Sequence, residues 1–261
     1  MFKGFKYLVI HKLKLAFGDV AKCGSSTIKE LVLQYDYPDK CYKNKVSEDY
    51  FYKNIISRNE FFSHLNQVET EEGHKVRYVW GEFPSNYRKI IFVRNQFTRI
   101  LSSYFHFRTG TISDYHKSLY QSAKNTDFET FLTNNIFYKE YFYDYHFKSM
   151  RHFLSGCNED TEIYRFENFA EIMKNIMQVD EIPHVNGSML NNEYKNYYNL
   201  RTKLMILEFY KWDMINLNYD FNGITGDLPT LKSLDEFLGD RSVLYNYKKP
   251  IGLLKREIRE K

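Results

Sequence analysis

Apolar positions recur along this chain in two rhythms. Over residues 13–20, Leu13, Leu15 and Phe17 alternate with polar or small neighbours, a period of two that predicts a strand. Ile28, Leu31 and Val32 then take the spacing of one helix face, which predicts a helix over 26–34. Residues 76–80 (VRYVW) have the β-branched and aromatic density of a strand, closed by Gly81, Glu82, Phe83 and Pro84. Residues 89–93 (KIIFV) are a short, nearly continuous apolar run between polar ends, as in a buried parallel strand. Residues 97–107 return to helical spacing at Phe97, Ile100, Leu101, Tyr104 and Phe105. So do residues 127–134, at Phe128, Phe131 and Leu132, behind Thr126 or Asp127 as a cap. A further strand is predicted over 162–166 (EIYRF) and a helix over 168–177. One long helix is predicted over 197–217, with core positions near Leu204, Ile206, Leu207, Tyr210 and Ile215.

The remaining stretches read as connections. Residues 1–12 are a basic, partly apolar lead-in. Residues 35–53, 109–126 and 180–196 read as loops, the first with short helical pieces. A short helix is predicted over 60–65 behind Asn59. Residues 137–153 are densely aromatic, irregular or helical, and more suited to a core than to a ligand platform. Beyond Tyr219 the chain is polar, with Gly223, Gly226 and Pro229, and residues 222–261 read as a peripheral tail. Short strands alternating with helices imply an α/β fold, a parallel sheet with helices on its faces. With no internal repeat and no low-complexity linker, one domain over residues 1–261 is expected.

Composition narrows the function classes. The apolar share of 43% and the aromatic share of 18% suffice for a core, and the net charge of +4 points to an anionic ligand more than to a nucleic-acid coat. No block of consecutive basic residues marks a nucleic-acid tail. Cys23, Cys41 and Cys157 form no CxxC pair, which argues against a disulfide framework or a structural zinc site and for a reducing compartment. No apolar run approaches the ~20 residues of a membrane span, and residues 7–10 are too short for a signal-peptide core. A cytoplasmic protein without a membrane anchor is expected.

The chemistry concentrates where the first strand turns into the first helix, at VAKCGSSTIK (residues 20–29). Lys22 precedes a small, polar run: Cys23, Gly24, Ser25, Ser26 and Thr27. The unpaired N–H groups of a helix's first turn, at the positive end of its dipole, seat an anion. A nucleoside-triphosphate loop would read G-x-x-x-x-G-K-S/T, with lysine after the second glycine. Here Lys22 stands ahead of Gly24, and no strand-ending Asp offers itself for Mg²⁺.

The loop resembles the 5′-phosphosulfate loop of sulfotransferases, Pro-Lys-x-x followed by three Ser/Thr positions, with Ala21 in place of the proline. A second stretch, IFVRNQFTRILSSY (residues 91–104), resembles that superfamily's 3′-phosphate motif, a strand followed by Arg-Asp-Pro-x-x-Arg-x-x-Ser-x-Tyr. Arg94, Arg99, Ser102 and Tyr104 fall at matching offsets. Asn95 and Gln96 replace Asp-Pro, so a less rigid turn is expected. A guanidinium at the strand tip and a hydroxyl about two turns along the next helix can converge on one phosphate. His184, Val185, Asn186 and Ser188, then Tyr197, Tyr198, Trp212, Asp213 and Asn218 to Phe221, look like the C-terminal part of the carbohydrate (family 2) sulfotransferases. Residues 162–169 (EIYRFENF) look like their strand-plus-acidic-turn element.

The resemblance implies a P-loop-like fold, 3′-phosphoadenosine 5′-phosphosulfate (PAPS) as donor, and no metal. It gives Lys22, Cys23, Gly24, Ser25, Ser26 and Thr27 to the 5′-phosphosulfate and Arg94 and Ser102 to the 3′-phosphate. Lys22, a mobile point charge, also suits the leaving phosphate. Related enzymes carry Gly-His-Phe-Pro where this chain has Gly81, Glu82, Phe83 and Pro84, so Glu82 stands where the general base belongs. His106 is the rival base; His74 and His146 are weaker, and the His184–Ser188 loop could close over the nucleotide. The acceptor implied is a hydroxyl of a glycan or glycolipid. Two alternatives stay open at this level: a nucleotide kinase with a divergent phosphate loop, and an inactive nucleotide-binding or scaffold protein of the same fold.

Overall fold

The computed structural model describes residues 6–36, 41–42, 45–46, 77–79, 86–110, 116–137, 144–157, 159–182 and 193–238. Two compact units divide the chain: Met1–Arg94 with Gly156–Met189, and Asn95–Ser155 with Leu190–Lys261. In chain order the main elements are β1 (Lys6–Ile10), β2 (Leu15–Gly18), α1 (Ser25–Asp36), β3 (Arg77–Val79), β4 (Arg88–Val93), α2 (Gln96–Thr109), α3 (Lys117–Asn125), α4 (Phe128–Leu132), α5 (Met150–Leu154), β5 (Glu162–Arg165), α6 (Phe169–Met177), α7 (Leu200–Phe209), α8 (Lys211–Asn216), β6 (Tyr219–Asp220), β7 (Gly223–Ile224) and α9 (Leu231–Leu238). The helix expected over 60–65 lies outside the described residues.

The first unit is built on a five-stranded sheet in the order β3-β1-β2-β4-β5. β2, β4 and β5 run parallel, with Phe17 opposite Ile90 and Val93 opposite Arg165; β1 runs antiparallel to both of its neighbours. The continuous apolar run of β4 is buried along its length, as a strand enclosed on both faces requires. α1 lies against β1 through the face carrying Ile28, Leu31 and Val32. Its last residue, Asp36, accepts from the backbone N–H groups of His11 and Lys12 at 3.0 and 3.2 Å, tying the helix end to the β1–β2 turn. On β5 lies α6, which buries Phe169, Met173 and Met177 at i, i+4 and i+8.

Two sequence expectations fail at the start of the chain. Residues 6–10, read as lead-in, are a sheet strand whose Tyr7, Leu8, Val9 and Ile10 are fully buried. The single strand expected over 13–20 is β2 alone, after a one-turn 3₁₀ helix at His11–Leu13. The hairpin is closed by Lys14 in the left-handed region (φ 51°), a conformation usually announced by Gly or Asn. The sheet is therefore mixed, not wholly parallel.

The second unit is helical. α2 is buried at Phe97, Ile100, Leu101, Tyr104 and Phe107, and packs within its unit against α3, α4 and α7. α3 replaces the loop expected over 109–126. Its buried side chains are Leu119, Tyr120 and Ala123, three apolar contacts in a polar nine-residue helix, too faint a periodicity to read. α4 is capped by Asp127, whose carboxylate accepts from the Thr130 N–H at 2.7 Å. The aromatic stretch packs as core through Phe147, Met150, Phe153 and Leu154. The helix expected over 197–217 is two helices, parted at Tyr210 (φ −113°, ψ 24°), whose hydroxyl donates to the Phe147 carbonyl at 2.6 Å. Its register also differs. Thr202, Met205, Ile206, Asp213 and Met214 face inward, while Leu204 and Ile215 are 57% and 62% exposed. A reciprocal cap between Asn199 and Thr202 sets the start of α7. Near the start of the tail β6 and β7 pair as a hairpin, and α9 buries Leu231 and Leu234. Among the described residues no helix is long and apolar enough to cross a membrane.

Asp213 organises this unit's polar interior. It is fully buried and accepts from Gln96 Nε2 (2.6 Å) and from the N–H groups of Met150 (2.7 Å) and Arg151 (2.9 Å). Burial pushes its carboxyl up to about 6 from an ordinary 3.8, against the pull of those bonds and of Arg99. A raised value means that the folded state holds the proton more tightly than the unfolded chain. The cost of ionisation is thus full above about pH 6 and falls away as the pH drops toward the unfolded value. From pH 7 to pH 5 the wild type should gain on the order of 1 kcal/mol of stability relative to Asp213→Asn in urea denaturation. Parallel pH dependences for the two proteins would contradict this.

Candidate active site

The candidate site starts where β2 ends. β2 and β4 are parallel, so the loop after Gly18 and the residue after Val93 emerge at the same edge of the sheet, the carboxyl end where open α/β sheets bind ligands. The loop turns through two left-handed residues, Lys22 (φ 65°) and Gly24 (φ 87°), on either side of a buried Cys23. α1 follows. Its first helical bond runs from the Ile28 N–H to the Gly24 carbonyl at 3.0 Å, so the N–H groups of Ser25, Ser26 and Thr27 precede the ladder and point out of the helix end. No acidic residue stands in that first turn. Backbone turned by left-handed residues into a helix N-terminus is suited to an anion.

Three side chains of the same unit hold this loop. Arg94, 6% exposed at the tip of β4, donates from Nη1 to the Lys22 carbonyl at 2.7 Å. Its guanidinium lies over the Phe166 ring, 4.5 Å from the centroid. Phe169, packed on Phe92 at 4.7 Å, presses against the loop: a Cβ built on Gly24 would come within 2.3 Å of its ring. Glycine at 24 is thus required twice, by the left-handed backbone and by the ring. Lys22, Cys23, Gly24, Ser25, Ser26, Thr27 and Arg94 lie together at this edge of the sheet. Phe166 and Phe169 were not legible as part of the site. Their signal is faint: aromatic residues directly after a strand whose neighbouring loop carries an obligatory glycine.

The other motif residues belong to the second unit. Ser102 is 6% exposed on α2, and no side-chain hydrogen bond holds its hydroxyl among the described residues. Arg99 is a structural residue. Fully buried, it donates to the Gln96 side-chain oxygen (3.1 Å) and to the carbonyls of Lys148 (2.7 Å) and Tyr145 (3.4 Å), which suits neither a phosphate ligand nor a surface ion pair. The Tyr104 hydroxyl donates to the Thr126 carbonyl at 2.9 Å and accepts from Arg108. The turn expected to be loose is firmly held. Asn95 caps α2 by accepting from the Phe97 N–H (2.9 Å) and donates to the Asp220 carbonyl (2.8 Å), while Gln96 is anchored on Asp213. His106 stacks on His146 at 5.3 Å beside Phe107 and Tyr120, a packed position for the rival base. Glu82, His74, His184 and Ser188 lie outside the described residues.

A family model described as the sulfotransferase family matches residues 5–220. The chain belongs to the sulfotransferase family. Comparison with curated proteins and with solved structures gives no match. The matched span takes in β1, the loop at Lys22, Arg94, α2 and the helices up to Asp220. Sulfuryl transfer to a hydroxyl-bearing acceptor is the chemistry of this family, which generally draws on PAPS. The loop fits an anionic donor of that kind: the N–H groups of Ser25, Ser26 and Thr27 precede the helical ladder, and the Arg94 guanidinium is bonded to the loop.

If the Phe169 ring is what excludes a side chain at position 24, then Gly24→Ala should cost about 2 kcal/mol in urea denaturation. The same substitution should cost about 1 kcal/mol less in a Phe169→Leu background. Strictly additive costs would show that backbone strain alone fixes the glycine.

Proposed function

We propose that this sulfotransferase moves the sulfuryl group of PAPS to a hydroxyl of a carbohydrate acceptor. The observation that carries the reading is the Lys22–Gly24 loop, bonded to Arg94 at the carboxyl edge of the sheet. Its helix-terminal N–H groups, with Lys22 and Arg94 in or against the loop, support a phosphosulfate ligand. Lys22 with the backbone and hydroxyls of Cys23, Gly24, Ser25, Ser26 and Thr27 would hold the 5′-phosphosulfate. Arg94 and Ser102 would take the 3′-phosphate, an assignment that rests on their offsets in IFVRNQFTRILSSY and on the guanidinium's place beside the loop.

The chemistry is an in-line displacement at sulfur. The acceptor oxygen forms the new S–O bond as the bond from sulfur to the bridging phosphate oxygen breaks. The electron pair of the broken bond leaves on 3′-phosphoadenosine 5′-phosphate, where the Lys22 ammonium meets the growing charge. The acceptor's proton would pass to the Glu82 carboxylate. The order of Lys22 and Gly24, the reverse of a nucleoside-triphosphate loop, and the family match both weigh against a kinase.

A panel of glycans, glycolipids and phenols incubated with radiolabelled PAPS tests the reading. Label should pass to a glycan hydroxyl, and Glu82→Gln should lower the rate by about 10²–10⁴-fold. Transfer that survives Glu82→Gln would remove Glu82 as base. Transfer only to phenols would overturn the carbohydrate assignment, and transfer to no acceptor would favour a nucleotide-binding protein that has lost activity.

A further inference from the structure

Within the second unit, three side chains that the sulfuryl-transfer site does not use converge. His116, at the start of α3, places Nδ1 3.1 Å from Asp144 Oδ2. His146, two residues beyond that aspartate, places Nδ1 2.8 Å from Asp144 Oδ1. One ligand atom from each of the three residues lies within 4.8 Å of the others. We propose that His116, Asp144 and His146 form a binding site for a divalent cation of the zinc type, a clasp joining the start of α3 to the turn before α5.

The donor set is the first argument. Two imidazoles and one carboxylate suit the borderline divalent ions, zinc foremost, rather than the all-oxygen shell that calcium or magnesium prefers. The geometry is the second. Zinc holds nitrogen and oxygen at about 2.0–2.2 Å, so tetrahedral neighbours stand about 3.3 Å apart. The two imidazole-to-carboxylate separations, each to its own oxygen of Asp144, are close to that edge, and one donor from each residue already lies within 4.8 Å of the others. The carboxylate is also held by the backbone of its own turn, since the His146 backbone N–H donates to Asp144 Oδ1 at 2.8 Å.

The surroundings add a third argument. Phe107 meets the His146 ring at 4.9 Å and the His116 ring at 5.7 Å, and His106 stacks on His146. Aromatic neighbours of this kind limit the directions from which the imidazoles can be approached. Lys148, the cation closest in sequence, bonds His152 Nε2 at 3.0 Å and also attracts Asp144. Three protein ligands leave one position of a tetrahedral ion for water. His116 and Asp144 are 28 positions apart with no ligand-pair spacing between them, so sequence alone predicts no metal.

Zinc titration of the chelator-treated full chain tests the site. One equivalent of Zn²⁺ should bind and raise the melting temperature, and His116→Gln and His146→Gln should each weaken binding at least tenfold. Absence of stoichiometric uptake by the wild type would overturn the proposal, as would uptake that both variants leave unchanged. Should the variants fail to fold, X-ray absorption of the zinc-loaded wild type decides. Two imidazoles with oxygen neighbours support the site, and a thiolate in the shell places the ion on a cysteine and overturns it.

Discussion

The contact on which the candidate site depends is the bond from the Arg94 guanidinium to the Lys22 carbonyl. Lys22 is a non-glycine residue in the left-handed region, a conformation that costs about 1–2 kcal/mol and persists only where its surroundings hold it. Arg94, in turn, is a nearly buried cation that needs acceptors and a polarisable face, and finds them in that carbonyl and in the Phe166 ring. Each is therefore the other's condition. The strand tip fixes the loop, and the loop gives the strand-tip charge a place inside the protein. A lysine at 94 could supply charge but not a planar fork able to bond and stack together, so the position is one where the two cations are not interchangeable.

The parallel relation of β2 and β4 turns this contact into a site. Two strands with the same direction deliver the loop and the guanidinium to one edge, and the N-terminal turn of α1 faces the same edge. Phe169 then sets how closely the loop can approach the sheet, through the one residue that has no side chain to obstruct it. In the second unit the same motif spends its polar groups differently. Gln96 and Arg99 are consumed by Asp213 and by backbone carbonyls, while Asn95 caps α2. Residues that stand side by side in one sequence motif thus divide between the loop contact of Arg94 and the packing of the second unit.

That division explains what was legible from the residues alone. The loop and β4 could be read because small residues at a strand-to-helix turn and an apolar run between polar ends are local signals. The role of Arg99 could not, since its acceptors come from residues 145 and 148. β1 escaped notice because its hairpin turns on Lys14 instead of glycine, and α3 because three buried side chains leave no periodicity to count. The break at Tyr210 has no proline or glycine to announce it; a buried ring and its bond to the Phe147 carbonyl make it. Likewise, no spacing rule joins His116 to Asp144. In each case the missing information is a tertiary partner.

The central claim is that this loop and Arg94 recognise a nucleotide bearing phosphate on both its 5′ and 3′ positions. Thermal unfolding of the wild type and Arg94→Gln with 3′-phosphoadenosine 5′-phosphate or with AMP tests it most directly. The wild type should be stabilised far more by the bisphosphate than by AMP, and Arg94→Gln should lose most of that difference. Equal shifts with the two nucleotides in the wild type would contradict the account.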